Sequence, residues 1–247
     1  MAFLKHLNKI QFKRLFGRKA FFVFLSLAFF SFTPSGRELY IEMESLSLDN
    51  GKYIKVNSEI LYDFSSEKMV SHFNYPNEYY LLNNSYGESK LYLPSKNGVI
   101  VRYGKEYSTQ SSLLIQFLKG EQSDFGLGSQ GFQIQDSYFE GQFFISNWIP
   151  PTSLMKLFSK VKLVTENDFP IYIEYINSKN LVVQKLYFSN YQEVNYSKIP
   201  LRITQVYYSS ENDSTINRIS FKNLRLGENL ANKLRDYKIP DDAKLLD

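Results

Sequence analysis

A mainly β (α+β) domain built on an antiparallel sheet is predicted for this chain of 247 residues by three observations. Beyond residue 35 apolar and polar residues alternate with a period of two, the pattern of half-buried strands. Polar turn clusters separate the alternating runs. Helical periodicity is scarce.

In order, the runs are 39–45, 53–64, 69–75, 89–93, 99–103, 132–139, 142–148, 171–176, 181–188, 201–208 and 217–224. In YIKVNSEILYDF (53–64), Ile54, Val56, Ser58, Ile60, Tyr62 and Phe64 share one face. Lys55, Asn57, Glu59 and Asp63 take the other, with Leu61 the exception. Turn chemistry lies between runs at Asp49-Asn50-Gly51, Asn84-Ser85-Tyr86-Gly87, Ser95-Lys96-Asn97-Gly98, Ser178-Lys179-Asn180 and Ser210-Glu211-Asn212-Asp213. About eleven strands so spaced imply a meander in which chain neighbours pair. One helix is expected over STQSSLLIQFLKG (108–120), where Leu114, Phe117 and Leu118 share a face, Ser111 or Ser112 caps the start and Gly120 suits the end. A second, short helix is expected over 229–236. No repeat or composition break divides residues 36–247, which are expected to form one domain.

The first 35 residues read differently. Lys5, Lys9, Lys13, Arg14, Arg18 and Lys19 precede the apolar run AFFVFLSLAFFSF (20–32), and Thr33-Pro34-Ser35 suits cleavage after Ser35. That is the pattern of a signal peptide. The run has 13 residues, short of the roughly 20 that a spanning helix needs. The remainder then carries 23 Lys and Arg against 25 Asp and Glu, net −2, although the whole chain is net +4. The basic balance belongs to the leader, and nucleic-acid binding is not expected. Cysteine is absent, so no N-terminal Cys accepts a lipid anchor, and a periplasmic location is expected.

Few reactive constellations remain. With no Cys and only His6 and His72, Cys-based sites and imidazole clusters for metals are excluded. His72 lies in the alternating KMVSHFNY, with no nucleophile elbow nearby, and reads as a strand histidine. Asp241-Asp242 and Glu121 with Asp124 read as solvated turn acids rather than a catalytic pair. No enzymatic activity, cofactor or metal is expected. GLGSQG (126–131) has the G-x-G-x-x-G spacing of dinucleotide-binding units, which need a strand before it and a helix after it. Here a helix precedes, the strand FQIQDSYF follows, and Pro150-Pro151 stands where the acidic ribose partner belongs. The glycines therefore shape a connection.

Beyond the leader the chain holds twelve Phe, nineteen Tyr and one Trp, many at alternating strand positions. That composition suits an aromatic core, and equally a curved sheet whose apolar face takes a long hydrophobic ligand.

Three stretches carry a resemblance: WIPPTSLMKLFSKVKLVTENDFPIYIEYINSKNLVVQKLYFSNY (148–191), ISFKNLRLGENLANKLRDYKIPDDAKLL (219–246) and GKYIKVNSEILYDFSSEKMVSHFNYPNEYYLL (51–82). In order and length they resemble the LolA-like periplasmic lipoprotein carriers; Phe73, Tyr75 and Pro76 stand for the family's aromatic-x-Tyr pair before a proline. The resemblance implies a strongly curved antiparallel sheet forming an incomplete barrel, with short helices covering the open side. It implies transfer of acylated lipoproteins to the outer membrane, or of another lipid or apolar pigment, by a monomer that docks on inner- and outer-membrane proteins. A sensor or adaptor on the same fold is the non-carrier alternative. The cover would consist of Leu113, Leu114, Phe117 and Leu118. The lining would consist of Ile54, Val56, Ile60, Tyr62, Phe73, Ile173, Leu186, Phe188, Ile219 and Phe221. Two departures stand out: RELYIEMESLSL (37–48) reads as strand where the family begins with a helix, and His72 replaces an Arg.

Overall fold

The structure, a computed structural model, describes residues 37–49, 51–118, 124–194, 197–210, 213–228, 230 and 233–246. The leader and its cleavage site, Gly120, residues 121–123 and parts of the 229–236 stretch lie outside the described residues. Six strands come first: β1 (Arg37–Asp49), β2 (Lys52–Asp63), β3 (Lys68–Tyr75), β4 (Tyr79–Asn83), β5 (Glu88–Leu93) and β6 (Gly98–Tyr103). A short α-helix follows, α1 (Leu113–Leu118). Then come β7 (Gln133–Glu140), β8 (Phe143–Ile149), β9 (Lys160–Glu166), β10 (Phe169–Ile176), β11 (Val182–Val194), β12 (Ser197–Ser210), β13 (Asp213–Glu228) and β14 (Lys244–Leu245).

All belong to one sheet in the order β14-β6-β5-β4-β3-β2-β1-β13-β12-β11-β10-β9-β8-β7. Chain neighbours pair antiparallel within β1–β6 and within β7–β13. The simple meander fails at the centre, where β1 pairs with β13, Met43 opposite Phe221 and Ser45 opposite Ile219. This pairing sends β6 and β7 to opposite sides of the sheet, so the chain between them must cross it. The crossing supplies the cover.

All eleven expected strands form, with ends shifted by a few residues. Three more were not expected. Tyr79–Asn83 lacks alternation because both of its faces are half-buried. Lys160–Glu166 does alternate, burying Val161, Leu163 and Thr165. Lys244–Leu245 is a two-residue parallel bridge to β6. The expected long helix is shorter: 3-10 turns at Lys105–Tyr107 and Thr109–Ser111 precede α1. Ser108 caps the second of these turns, its Oγ accepting Gln110 N–H at 3.2 Å. The expected helix at 229–236 is, over its described residues 233–236, a turn.

The core lies on one face of the sheet. Leu39, Ile41, Ile60, Tyr62 and Met69 on β1–β3 join Val161, Leu163, Ile173, Leu186 and Phe188 on β9–β11 in one buried cluster with Leu114, Ile115 and Phe117 of α1. Fourteen flat strands about 4.8 Å apart would span on the order of 60 Å, whereas a six-residue helix is about 9 Å long. Residues so far apart in strand order are buried around so small a cover because the sheet curls. Among the described residues its outermost strands do not pair with each other, and the barrel stays open. The fold is the curved, incomplete barrel with a helical cover that the resemblance implies.

A smaller cluster on the outer face explains Leu61. With Tyr40 it packs on Leu234, held there by Arg235, whose Nε and Nη2 donate to the two carboxylate oxygens of Glu38 at 2.7 and 2.5 Å.

Candidate functional site

Residues directly opposite across an antiparallel pair share a face, so the registers trace rows over the inner surface. One row runs Leu39, Tyr62, Met69, Asn83, Ser89, Arg102. The next runs Ile41, Ile60, Ser71, Leu81, Leu91, Ile100. Both begin in the packed core and continue onto β4–β6. There they form the floor of an open cavity of about 440 Å³, within the size range of small-molecule sites.

The floor is apolar at Met69, Leu81, Leu91 and Ile100 and polar at Asn83, Ser89 and Arg102. The roof is the strap from Glu106 to Ser112 that leads from β6 to α1, and Arg102 and Glu106 stand among the lining charges. Polar bonds fasten the strap to the hairpin ends. Asn83 Nδ2 donates to Tyr107 O at 2.9 Å, Ser108 Oγ to Ser85 O at 2.8 Å, and Thr109 Oγ1 to Glu67 O at 3.1 Å. Gln110 Nε2 donates to Glu67 Oε1 at 2.9 Å. The strap is thus hung by hydrogen bonds, and α1 beyond it is held by apolar packing. Phe117 meets Phe125, Phe188 and Tyr191, with centroids 5.4, 5.3 and 6.2 Å away.

The glycine-rich connection completes the cover. Asp124 Oδ1 and Oδ2 accept the N–H groups of Gly126 and Gly128 at 2.9 and 3.1 Å. The turns it caps, with φ +68° at Gly126 and +86° at Gly131, drive Phe125, Leu127 and Phe132 into the core. The motif forms an aromatic plug, not a phosphate cradle.

All ten expected lining residues lie on the inner face. Ile60, Tyr62, Ile173, Leu186, Phe188 and Phe221 are in the core cluster with Leu114 and Phe117 of the cover, and Leu113, Leu118 and Ile219 pack against it. Phe73 is half-buried and stacks on Tyr79 at 4.2 Å. Val56 is half-buried and Ile54 is 49% exposed, beyond the cover. None of these residues lines the open cavity, which is built by Met69, Leu81, Leu91 and Ile100 instead. Their signal was present in the alternation of β3, β5 and β6. The row joining them passes through β4, whose YYLLN does not alternate.

The inner face also has a polar seam. Ser45 and Ser47 Oγ donate to Asn217 Oδ1 at 2.7 and 3.1 Å, and Asn217 Nδ2 donates to Gln205 Oε1 at 3.2 Å. Beside it, burial pushes the Tyr175 phenol up to about 12 and also raises Tyr207.

A second cleft, of about 390 Å³, lies on the outer face beneath Leu234 and Tyr237. Glu38, Asp63, Glu88, Lys68 and Lys90 line it, so it suits an apolar chain less well. His72 stands on this face, buried at 5% exposure, with Nε2 3.0 Å from Glu78 Oε1 and its ring stacked on Tyr80 at 4.3 Å. Among the described residues, no three His, Asp or Glu side chains gather as a metal site would require, and no helix is long and apolar enough to cross a membrane.

No protein-family model and no curated protein sequence matches this chain. Solved structures do. A DUF1329 family protein from Desulfovibrio piger superposes with TM-score 0.53 at 15% identity, covering 80% of this chain and 88% of that one. A putative outer membrane lipoprotein-sorting protein domain from Vibrio parahaemolyticus gives 0.52 at 15% identity, over 78% and 86%. A LolA superfamily protein from Nitrosomonas europaea gives 0.51 at 11% identity, over 80% and 88%. At these identities the likeness is one of fold, and the fold is LolA-like.

Proposed function

We propose that this chain is a periplasmic, non-catalytic carrier that shields the acyl chains of lipoproteins, or of another lipid, between membranes. The LolA-like fold supports a lipid or lipoprotein carrier in general terms. The observation that carries the reading is the cavity over Met69, Leu81, Leu91 and Ile100, whose floor rows lead on into the packed apolar face that α1 covers.

Magnitudes favour a cover that yields to cargo. Burying one large apolar side chain is worth about 1.5–3 kcal/mol. Lifting Leu114, Ile115 and Phe117 off the sheet therefore costs about 4.5–9 kcal/mol. An acyl chain of about sixteen carbons gains on the order of 12 kcal/mol when it leaves water. Cargo entering under the strap outweighs the cover it displaces, by a margin small enough for release. In the loaded state the chain would lie on Ile60, Tyr62, Phe73, Ile173, Leu186, Phe188, Ile219 and Phe221, with Leu113, Leu114, Phe117 and Leu118 closing over it and Ile54 and Val56 at the far end. Arg102 at the cavity would meet the polar head.

Mass spectrometry of protein isolated gently from periplasm tests this. Co-purifying diacylglyceryl-cysteine proteins support lipoprotein cargo, and small lipids support the second cargo class. No acyl species, together with no uptake of a fluorescent fatty acid by the purified chain, overturns the reading.

A further inference from the structure

The two sides of the sheet end differently. On one, β14 lies parallel to β6, Lys244 opposite Gly98. On the other, β7 is bonded, among the described residues, to β8 alone. All eight residues of β7 are exposed, Ile134 by 56% and Phe139 by 75%. An unpaired strand offers its N–H and C=O groups to any extended chain, and natural sheets blunt such edges with charged side chains (lysine above all), proline, a β-bulge or a cover. QIQDSYFE contains no Lys, Arg or Pro.

A bulge fixes which residues share a face. Ile134 pairs with Trp148 and Asp136 with Asn147, leaving Gln135 as the extra residue. Ile134, Ser137 and Phe139 therefore lie on the inner face, and Gln133, Asp136, Tyr138 and Glu140 on the outer.

We propose that β7 is a homodimer seam, pairing antiparallel with β7 of a second copy about a two-fold axis through Ser137. In this register, with the bulge taking a single place in the ladder, Ile134 stands opposite Phe139 on the inner face, twice by symmetry. On the outer face Asp136 stands opposite Tyr138, a phenol donor for its carboxylate, and Gln133 stands opposite Glu140. Moving the axis one residue either way places like charges face to face: Asp136 on itself, or Asp136 on Glu140. Like charges directly opposite are destabilising, so one register is selected. The strand complements itself on both faces, which is what a two-fold interface requires and what an unrelated peptide would have to match by design. The monomer expected from sequence gives way to a reversible dimer with one continuous sheet. The seam depends on the edge strand and not on the cavity, so it stands or falls apart from the carrier reading.

The chain has no cysteine, which makes the register directly testable. Opposed residues in an antiparallel pair have Cα atoms about 4.5–5.5 Å apart, within disulfide reach of about 4.4–6.8 Å. Under mild oxidation the Ser137→Cys protein should form a covalent dimer, whereas Asp136→Cys and the turn variant Ser178→Cys should not. In sedimentation equilibrium the unmodified protein should dimerise reversibly, and Ile134→Lys with Phe139→Lys should weaken the dimer by about tenfold or more. Circular dichroism should be unchanged, since both side chains are exposed. A protein that stays monomeric at every concentration tested, a Ser137→Cys variant that cross-links no faster than Ser178→Cys, or a dimer indifferent to the two lysines each overturns the proposal.

Discussion

Phe117 on the cover meets Phe188 on β11 edge to face, with ring centroids 5.3 Å apart, and the two rings are only 1% and 4% exposed. The contact fastens α1 to the sheet, and its loss should be felt in stability and in cargo exchange alike.

Phe117→Ala should destabilise the fold by about 3–5 kcal/mol, the usual cost of emptying a large aromatic site. Urea unfolding reads that loss. At urea concentrations well below the transition, the variant should also take up a fluorescent fatty acid faster than the parent. Slower uptake would mean that α1 does not limit access.

Leu91 forms part of the cavity floor without belonging to the buried core. Leu91→Glu places a carboxylate among apolar groups that only cargo would otherwise contact. Fatty-acid affinity should fall by about tenfold or more, equivalent to about 1.4 kcal/mol, while the far-ultraviolet spectrum is retained. Unchanged affinity would place the chain elsewhere on the molecule.

Alkaline pH should loosen the inner face. Burial pushes the phenols of Tyr175 and Tyr62 up to about 12 from an ordinary value of 10.0. A raised phenol stays protonated in the native state while its unfolded counterpart ionises, so the unfolded state binds fewer protons between pH 10 and 12. Native stability therefore falls as pH rises through that window and is unaffected by these groups below it. Every tenfold difference in proton affinity between the two states is worth about 1.4 kcal/mol. Urea midpoints measured from pH 9 to 12 should drop, and Tyr175→Phe should flatten part of the slope.

The clamp between Arg235 and Glu38 should govern the C-terminal stretch. Glu38 also accepts Leu230 N–H at 3.0 Å, and Arg235 Nη2 donates to Leu230 O at 2.8 Å. Arg235→Met should speed limited proteolysis after residue 230 and leave the inner face intact, as judged by fatty-acid uptake. Protection equal to the parent's would show that Leu234 and Tyr237 hold the segment alone.

Period-two patterning made most of the sheet legible because one face is buried and the other wet. It placed Ile60 and Tyr62 on one side of their strand, and both lie in the core. It failed where that asymmetry fails: β4 is partly covered on both faces, by the strap on one and by the C-terminal segment on the other. It was also silent on Met43 pairing with Phe221, because nothing local encodes a contact between the first strand and the thirteenth. The short helix was overestimated because LLIQFL has helical spacing while the residues before it are occupied by strap hydrogen bonds to Glu67 and Ser85. The cavity residues alternate as core residues do; whether a row ends under a cover or beside one is decided by where the connection crosses.

The seam between β1 and β13 has a consequence for how the molecule comes into being. The earliest strand must wait, its polar backbone half-satisfied, until the chain has been made almost to residue 228. Contacts of such long sequence separation form slowly, so the seam that joins the two halves of the sheet can close only after nearly all of the chain has been made.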